Sequence, residues 1–232
     1  MREIILDTET TGLDPKQGHK IVEIGCVEMI NRSITNNNLH LYINPERESD
    51  EEALKVHGLD FDFLLQKPKF INIAKELISF LGDSKIVAHN ANFDIGFLNH
   101  ELDICGFSKN IIQEDRVTDT LVLARKKFPG TAVNLDALCK KFNIDVSLRS
   151  KHGALLDANL LSQVYIELLG GKQKEFNIDN EHNKQTNNSL TKREQKIFDR
   201  RDQILRLNDH DLKNHNNLLK TIKKPIWKNF LR

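Results

Sequence analysis

The order of strand-like and helix-like runs in the first 170 residues limits the fold of this chain most. Three runs near the N-terminus have strand character, at residues 3–7, 20–29 and 39–43. Two further short strands, at 85–88 and 117–119, alternate with helical runs at 71–81, 93–102, 121–128, 135–142 and 157–169. A strand meander followed by strand–helix alternation predicts an α/β fold in which helices flank a mixed sheet.

The composition is typical of a globular protein. Hydrophobic residues make up 39% of the 232 positions and charged residues 29%, and no run approaches the roughly 18 apolar residues of a membrane-spanning helix. Acidic residues at Glu3 and Asp7 precede any apolar leader, so we expect a cytoplasmic protein with no membrane partner. The three cysteines are far apart and form no Cys-x-x-Cys pair, which favours reduced thiols over disulfides or a zinc site.

The net charge of +1 conceals two parts of opposite charge. Residues 1–170 hold 19 Lys and Arg against 25 Asp and Glu, whereas residues 191–232 hold 12 against 5. An acidic body does not bind nucleic acid by charge alone, because affinity for phosphate is built from Lys and Arg. An anionic substrate would therefore need cations at its site.

The change in composition near Gly170 predicts the domain organisation. Residues 172–190 are polar and rich in Asn and Gln, without apolar periodicity, and we interpret them as a flexible linker. Residues 191–232 carry helically spaced Leu and Ile in a basic background and end with Trp227 and Phe230. This segment is too short to bury its apolar groups alone, which suggests a partner for it. We thus predict a domain at 1–171, a linker at 172–190 and a helical partner-binding segment at 191–232.

Two carboxylates follow each other closely near the end of the first strand, in Asp-Thr-Glu-Thr-Thr-Gly at residues 7–12. The two-residue period of a strand places Asp7 and Glu9 on the same face. Their mutual repulsion favours a cation between them, and oxygen ligands suit Mg²⁺ or Mn²⁺. A turn acid or a helix cap is the alternative for such a pair.

Two further acids stand at predicted helix starts. Asp94 follows a buried strand within Asn-Ala-Asn-Phe-Asp, and Asp157 comes five residues after His152. Each acid alone could complement a helix dipole. Their joint occurrence resembles the three motifs of the DEDD exonuclease superfamily with a catalytic histidine: Asp-x-Glu, Asn-x-x-Phe-Asp and His-x-x-x-x-Asp.

Over almost the whole chain, the sequence is similar to the epsilon-subunit family of bacterial DNA polymerase III. The stretches that carry the similarity are residues 7–12, 56–59, 63–65, 89–97, 135–139 and 152–158. The resemblance implies a ribonuclease H-like fold with a mixed five-stranded sheet, two divalent cations (Mg²⁺ or Mn²⁺), and removal of nucleotides from a DNA 3′ end.

The resemblance also implies a role for each site residue. Asp7, Glu9, Asp94 and Asp157 would hold the two ions, and His152 would be the general base. Further contacts to the terminal nucleotide would come from Thr10, Leu13, Glu52 and His57, with Asp7, Glu9 and Asp157 also touching the substrate. Glu52 lies in an acidic run that could equally be an exposed helix start.

The resemblance extends to partners. The C-terminal segment is similar to the part of epsilon subunits that attaches to the polymerase (alpha) subunit. Residues 185–190 resemble a sliding-clamp peptide, with Asn188 where an apolar anchor is expected. Two alternatives to a proofreading exonuclease are a free-standing enzyme that trims RNA ends or short oligonucleotides, and a catalytically silent polymerase scaffold. The second would be expected to lack one of the four acids or His152, and all five are present.

Overall fold

The computed structural model describes residues 1–109, 111–147 and 151–171, together with residues 210, 213, 214, 217 and 218. In the part described, a five-stranded sheet forms the centre, in the order β3-β2-β1-β4-β5. Its strands are β1 (Arg2–Thr10), β2 (Ile21–Ile30), β3 (Ser33–Tyr42), β4 (Lys85–Ala88) and β5 (Val117–Asp119).

The sheet is mixed, as the sequence predicts. The first three strands form an antiparallel meander, and β4 then pairs parallel with both β1 and β5. Strand β1 therefore has a neighbour on each side, and its residues Ile4, Ile5 and Leu6 have no exposed surface. The fold predicted from the sequence is confirmed.

Seven helices and two short 3₁₀ turns, Pro15–Gln17 and Glu114–Arg116, accompany the sheet in the described residues between 1 and 171. The helices are α1 (Glu51–His57), α2 (Phe61–Leu65), α3 (Phe70–Leu81), α4 (Ala91–Ile104), α5 (Thr120–Lys127), α6 (Leu135–Lys141) and α7 (Ala154–Leu168).

Alternation of side chains along β1 builds two apolar layers, one on each face of the sheet. Ile4 and Leu6 pack with the apolar residues of α3 and α4 on one face. Ile5 packs with Ala158 and Leu161 of α7 on the other. Helices α5 and α6 lie against the outer side of α7 and form a third apolar cluster there.

The predicted element boundaries differ from the structure where exposed residues dominate. Strands β4 and β5 have the predicted bounds, whereas β3 starts six residues before the predicted Leu39, because backbone pairing with β2 continues through its exposed, Asn-rich part. Helix α7 starts at Ala154 rather than at Asp157. The short helices α1 and α2 were not predicted, since each buries only one residue and carries little apolar period.

A close backbone approach joins strand β2 to the start of α7. A Cβ placed on Gly25 would overlap backbone atoms of Ala154 and Leu155. Only glycine lets the helix start lie directly on the strand. Since Gly25 pairs with Asp7 across the sheet, this approach also sets how near α7 comes to the predicted acidic site.

We expect Gly25→Ala to lower the free energy of unfolding by about 1–3 kcal/mol, because the methyl group forces the strand and the helix apart. Urea unfolding measures the change. Gly96→Ala is the matched control, since Gly96 lies inside α4 with nothing within 4 Å of a built Cβ, and should gain about 0.5–1 kcal/mol from helix propensity. Equal unfolding free energies for the wild type and Gly25→Ala would contradict the close approach.

The chain divides into two units, Met1–Ile178 and Asp179–Arg232. The predicted linker at 172–190 and the clamp-like residues 185–190 lie outside the described residues, as does most of the segment 191–232. The three-part organisation stays a prediction. Among the helices that the structure describes, none is long and apolar enough to cross a membrane.

Candidate active site

Asp7 and Glu9 lie on β1, which continues past both residues to Thr10. Both side chains belong to the face that carries Ile5, the face covered by α7. Glu9 is buried, and its cross-strand partner on β2 is another buried acid, Glu23. Both residues lie within the paired part of β1, as the expected shared face requires.

The first turn of α7 brings Asp157 to Glu9. Asp157 is buried, and its Oδ2 atom lies 3.2 Å from Nδ1 of His152. Potential ligand atoms of Glu9, His152 and Asp157 all lie within 4.8 Å of one another. The structure thus assembles two of the four predicted acids and the predicted base into one cluster.

Asp94 reaches the same edge of the sheet from the opposite face. It lies in the first turn of α4, and the hydroxyl of Thr8 donates a hydrogen bond of 2.7 Å to its Oδ1 atom. Because Thr8 lies between Asp7 and Glu9 in β1, its side chain points to the α4 face and links the two sides. Asp94 is not part of the cluster of Glu9, His152 and Asp157.

Burial gives Asp94 an unusual protonation equilibrium. Removal from water raises the pKa of Asp94 to about 7, although hydrogen bonds from Thr8 act in the opposite direction. An isolated carboxylate with such a pKa binds protons near neutrality. A bound cation would replace that proton and keep the group ionised.

His152 lies at the surface of the cluster. Its side chain is 46% exposed, whereas that of Asp157 is 4% exposed. The backbone N–H of His152 donates to the carbonyl oxygen of Val56 at 3.3 Å, so the end of α1 holds the segment before α7. This position is open to water and substrate, as a general base requires.

A cleft of about 340 Å³ lies between β1 and α1, a volume within the ~300–1,000 Å³ typical of small-ligand sites. It brings together five residues that the sequence predicts as substrate contacts: Glu9, Thr10, Leu13, Glu52 and His57. The other residues around it are Thr8, Gly12, Asp50, Ala53, Val56 and Phe93. The predicted contacts Asp7 and Asp157 do not line it.

Leu13 and Thr10 shape one side of the cleft. The Thr10 hydroxyl donates a hydrogen bond of 2.6 Å to the carbonyl oxygen of Gly12, which fixes the turn after β1. Leu13 follows with 82% of its surface exposed. An exposed leucine at the rim of a cleft gives an apolar surface for a flat group such as a base.

His57 presents an unused hydrogen-bond donor. Its Nδ1 atom accepts from the N–H of Leu59 at 2.9 Å, so the neutral ring carries its proton on Nε2. Nε2 is buried and has no hydrogen-bond partner. Burial is the main reason that the pKa of His57 is below its usual value; the charge of Glu23 raises it and that of Lys151 lowers it.

Sequence reasoning did not single out His19, which supports the cleft from behind. Its Nδ1 atom lies 3.2 Å from the Thr11 hydroxyl, and its Nε2 atom lies 3.5 Å from Asp50. A Cβ on Gly12 would overlap the imidazole. The ring thereby connects the turn after β1 with the start of α1, and only the unusual Gly12 next to Thr11 could have signalled it.

Asp119 and His89 make structural contacts beside the candidate site. Asp119 caps α5 by accepting from the N–H of Leu121 at 2.8 Å, and it also accepts from the N–H of Asn90. His89 lies 2.9 Å from the Thr120 hydroxyl. These bonds tie the ends of β4 and β5 together beside the start of α4.

The donor set fits hard divalent cations. The buried groups are carboxylates, and oxygen is the ligand that Mg²⁺ and Mn²⁺ prefer. Protein zinc sites are built mainly from Cys and His, and the described cluster contains one exposed histidine and no cysteine. The raised pKa of Asp94 also indicates that the pocket favours neutralisation of its carboxylates.

Comparisons with known proteins agree with this geometry. Residues 4–165 match the exonuclease family described as "Exonuclease". The DNA polymerase III subunit epsilon of Rickettsia felis is 47% identical over 97% of this chain and 98% of its own length. The corresponding subunit of Escherichia coli is 47% identical over 74% of this chain and 72% of its own.

The chain belongs to the DNA polymerase III epsilon-subunit family of exonucleases.

A solved structure supports the exonuclease fold of this chain. Exonuclease X, in complex with 5′ overhanging duplex DNA, is 26% identical to this chain and superimposes with a TM-score of 0.56 over 72% of this chain and 90% of its own. The predicted exonuclease activity and ribonuclease H-like fold are confirmed at the level of the family. The two alternatives, an RNA-trimming enzyme and a silent scaffold, are not favoured by these relatives.

The pKa of Asp94 predicts how metal-free stability changes with pH. Because the pKa is about 7 in the folded chain and about 4 in an unfolded one, unfolding becomes easier as the pH rises from about 4 to about 7. We expect Asp94→Asn to flatten this dependence. Urea unfolding in chelator at several pH values measures it, with the exposed Glu51→Gln as control. An unchanged slope in Asp94→Asn would contradict the raised pKa.

Proposed function

We propose that this epsilon-family exonuclease removes mispaired nucleotides from the 3′ end of DNA as the proofreading subunit of the replicative polymerase. The observation that supports this most is the convergence of Glu9, Asp157 and His152 next to a cleft that ends at Leu13 and His57. The cleft is large enough for one small ligand, which suits cleavage at an end of the strand.

The carboxylates supply the metal sites in this proposal. Asp7, Glu9, Asp94 and Asp157 would hold two Mg²⁺ or Mn²⁺ ions. When bound, such ions would neutralise the phosphate and stabilise the charge on the leaving oxygen. The chain itself provides the geometry, since three separate elements carry the four carboxylates: β1 carries Asp7 and Glu9, α4 carries Asp94 and α7 carries Asp157.

His152 moves the proton. Its Nδ1 atom lies 3.2 Å from Asp157, which orients the ring and leaves Nε2 to accept the proton from the attacking water. The water oxygen forms a bond to phosphorus, and the bond from phosphorus to the 3′ oxygen of the preceding nucleotide breaks. The terminal nucleotide leaves as a 5′-monophosphate.

The cleft residues orient the terminal nucleotide. The Nε2–H group of His57, which has no partner in the described structure, would donate to a sugar or phosphate oxygen. Glu52 would accept from a hydroxyl group, and the exposed Leu13 would contact the base. A donor that is buried without a partner becomes satisfied only when substrate binds.

We expect substitutions of the metal ligands and of the general base to have different effects on metal binding and on catalysis. Alanine in place of Asp7, Glu9, Asp94 or Asp157 should abolish Mg²⁺-dependent digestion of 3′-mispaired DNA and weaken Mn²⁺ binding in calorimetry. His152→Ala should lower kcat by about 10²–10⁴ and leave Mn²⁺ binding nearly unchanged. Matched RNA serves as the second substrate, and faster digestion of RNA would favour the trimming enzyme. Loss of Mn²⁺ binding in His152→Ala would instead make His152 a ligand.

We also propose that residues 191–232 attach the exonuclease to the polymerase (alpha) subunit. The similarity to the Rickettsia felis epsilon subunit extends over 97% of this chain and so includes most of this segment. Its basic charge and its terminal Trp227 and Phe230 are typical of a segment that binds a partner groove. The clamp-like residues 185–190 give weaker support for a sliding-clamp contact.

Truncation after Gly171 should abolish binding to the polymerase subunit and leave turnover on a free short strand nearly unchanged. Attachment through a linker acts by raising the local concentration at the primer end, which a free strand does not report. Pull-down and oligonucleotide digestion measure the two effects, with Trp227→Ala as a point variant. Retained polymerase binding, with weaker and less salt-dependent DNA binding, would show that the segment grips DNA instead.

A further inference from the structure

Lys151 places an ammonium group beside the active site, immediately before His152. Its side chain packs over Gly58, the residue that ends α1, and a Cβ at Gly58 would overlap the Lys151 side chain. Gly58 has a φ of +68°, a left-handed backbone conformation that disfavours any larger residue there. The side chain of Lys151 lies along the end of α1.

This ammonium group has no carboxylate partner in the described part of the chain. Two other cations on or before α1 are paired with acids: Lys55 binds Glu51 at 3.0 Å and Arg47 lies 3.8 Å from Asp50. Lys151 is exposed, and no salt bridge within the described residues includes it. Its charge is thus available to a ligand.

Lys151 packs next to residues that line the substrate cleft, without lining the cleft itself. Val56 and His57, which line the cleft, directly precede the glycine on which Lys151 packs. The N–H of the next residue, His152, bonds to Val56. Burial is the main cause that lowers the pKa of His57, and the charge of Lys151 lowers it further, so the ammonium group lies within electrostatic range of that ring.

The acidity of the cleft explains why one cation there matters. Glu9, Asp50 and Glu52 line the cleft, and each repels a phosphate backbone. A cation beside the cleft would counter this repulsion where the strand passes from the site to solvent. Support of the α1 end alone is a structural alternative, because a lysine also stabilises helix C-terminal carbonyls.

We propose that Lys151 is a further substrate-binding residue, which holds a backbone phosphate of the strand whose 3′ end lies in the cleft. This proposal rests on the proposed exonuclease function. It adds a cation supplied by the chain itself to a cleft whose charged lining residues, among those described, are the acids Glu9, Asp50 and Glu52. Lys151 touches the substrate and takes no part in proton transfer.

The test is the salt dependence of KM for a single-stranded oligonucleotide. Each phosphate contact to a single strand contributes about 0.7 to the slope of log affinity against log salt concentration. Lys151→Gln should reduce the slope of log KM by about that amount and raise KM roughly threefold to tenfold at low salt, with little change in kcat. Lys151→Arg should keep the wild-type slope.

Two controls separate phosphate binding from structural support. Lys55→Gln also removes one lysine charge, from a residue that lies on α1 about one turn before its end and is paired with Glu51. This variant should keep the wild-type slope of log KM against log salt concentration. Oligonucleotides with one neutral methylphosphonate linkage at successive positions then locate the contact. At the one linkage that Lys151 contacts, the effects of the neutral linkage and of Lys151→Gln on log KM should not be additive, because both remove the same contact. At every other linkage the two effects should add.

A wild-type slope in Lys151→Gln, or effects that are additive at every linkage, would overturn the proposal. A lower melting temperature in Lys151→Gln together with an unchanged slope would assign Lys151 to support of α1. The proposed function fails by a different result, since the wild-type chain would then show no Mg²⁺-dependent digestion from 3′ ends.

Discussion

The burial of several carboxylates at one edge of a sheet is the constraint on which the rest of this structure depends. Glu9, Asp94 and Asp157 are each almost fully buried, and Glu9 and Asp157 offer ligand atoms less than 4.8 Å apart. Two ionised carboxylates at that distance repel each other by about 3 kcal/mol at an effective dielectric constant of about 20. Without cations, the fold has to hold these groups together against both repulsion and desolvation.

Three independent elements provide that restraint. Glu9 lies on β1, which is paired on both sides, Asp157 lies on α7, and Asp94 lies on α4. The apolar layers on the two faces of the sheet anchor these helices separately. Each carboxylate is therefore fixed by packing remote from its own charge, and the repulsion is opposed by the whole core.

Small residues set the final distances within the site. Gly25 lets α7 rest on β2, and Gly12 lets the ring of His19 lie against the turn after β1. Gly153 lies beside Glu23, whose Oε1 atom is 3.9 Å from a built Cβ and 2.7 Å from Nε2 of His40. Backbone approaches of this kind bring the acids and His152 closer than bulkier side chains would permit.

The sequence pattern predicted those helices and strands in which buried apolar residues recur at regular positions. Strand β4, and the acids at the starts of α4 and α7, could be predicted from apolar runs that are bounded by polar residues. Helices α1 and α2 were missed because they are short and mostly exposed, so neither propensity nor periodicity distinguishes them from loops. Yet α1 carries Glu52 and His57, which only the family resemblance identified as site residues.

Contacts between distant residues were beyond the reach of pattern reasoning. Nothing local indicates that Thr8 bonds to Asp94 across 86 positions, or that His19 joins Thr11 to Asp50. The same holds for the orphaned Nε2 of His57, which depends on the turn at Leu59 and on burial by neighbouring elements. Tertiary packing decides the hydrogen-bond state of such groups.

The charge of the whole body affects how the candidate active site binds DNA. An acidic body with an acidic cleft repels the phosphates of intact DNA, so affinity has to come from bound cations and from any lysine without a carboxylate partner. Electrostatic attraction between the protein and a DNA strand is then strongest where the strand end enters the cleft, and it is weak elsewhere on the surface of the acidic body. A nuclease of this kind gains little from free diffusion to DNA but much from attachment to a polymerase, because attachment supplies by local concentration what the acidic surface withholds in affinity.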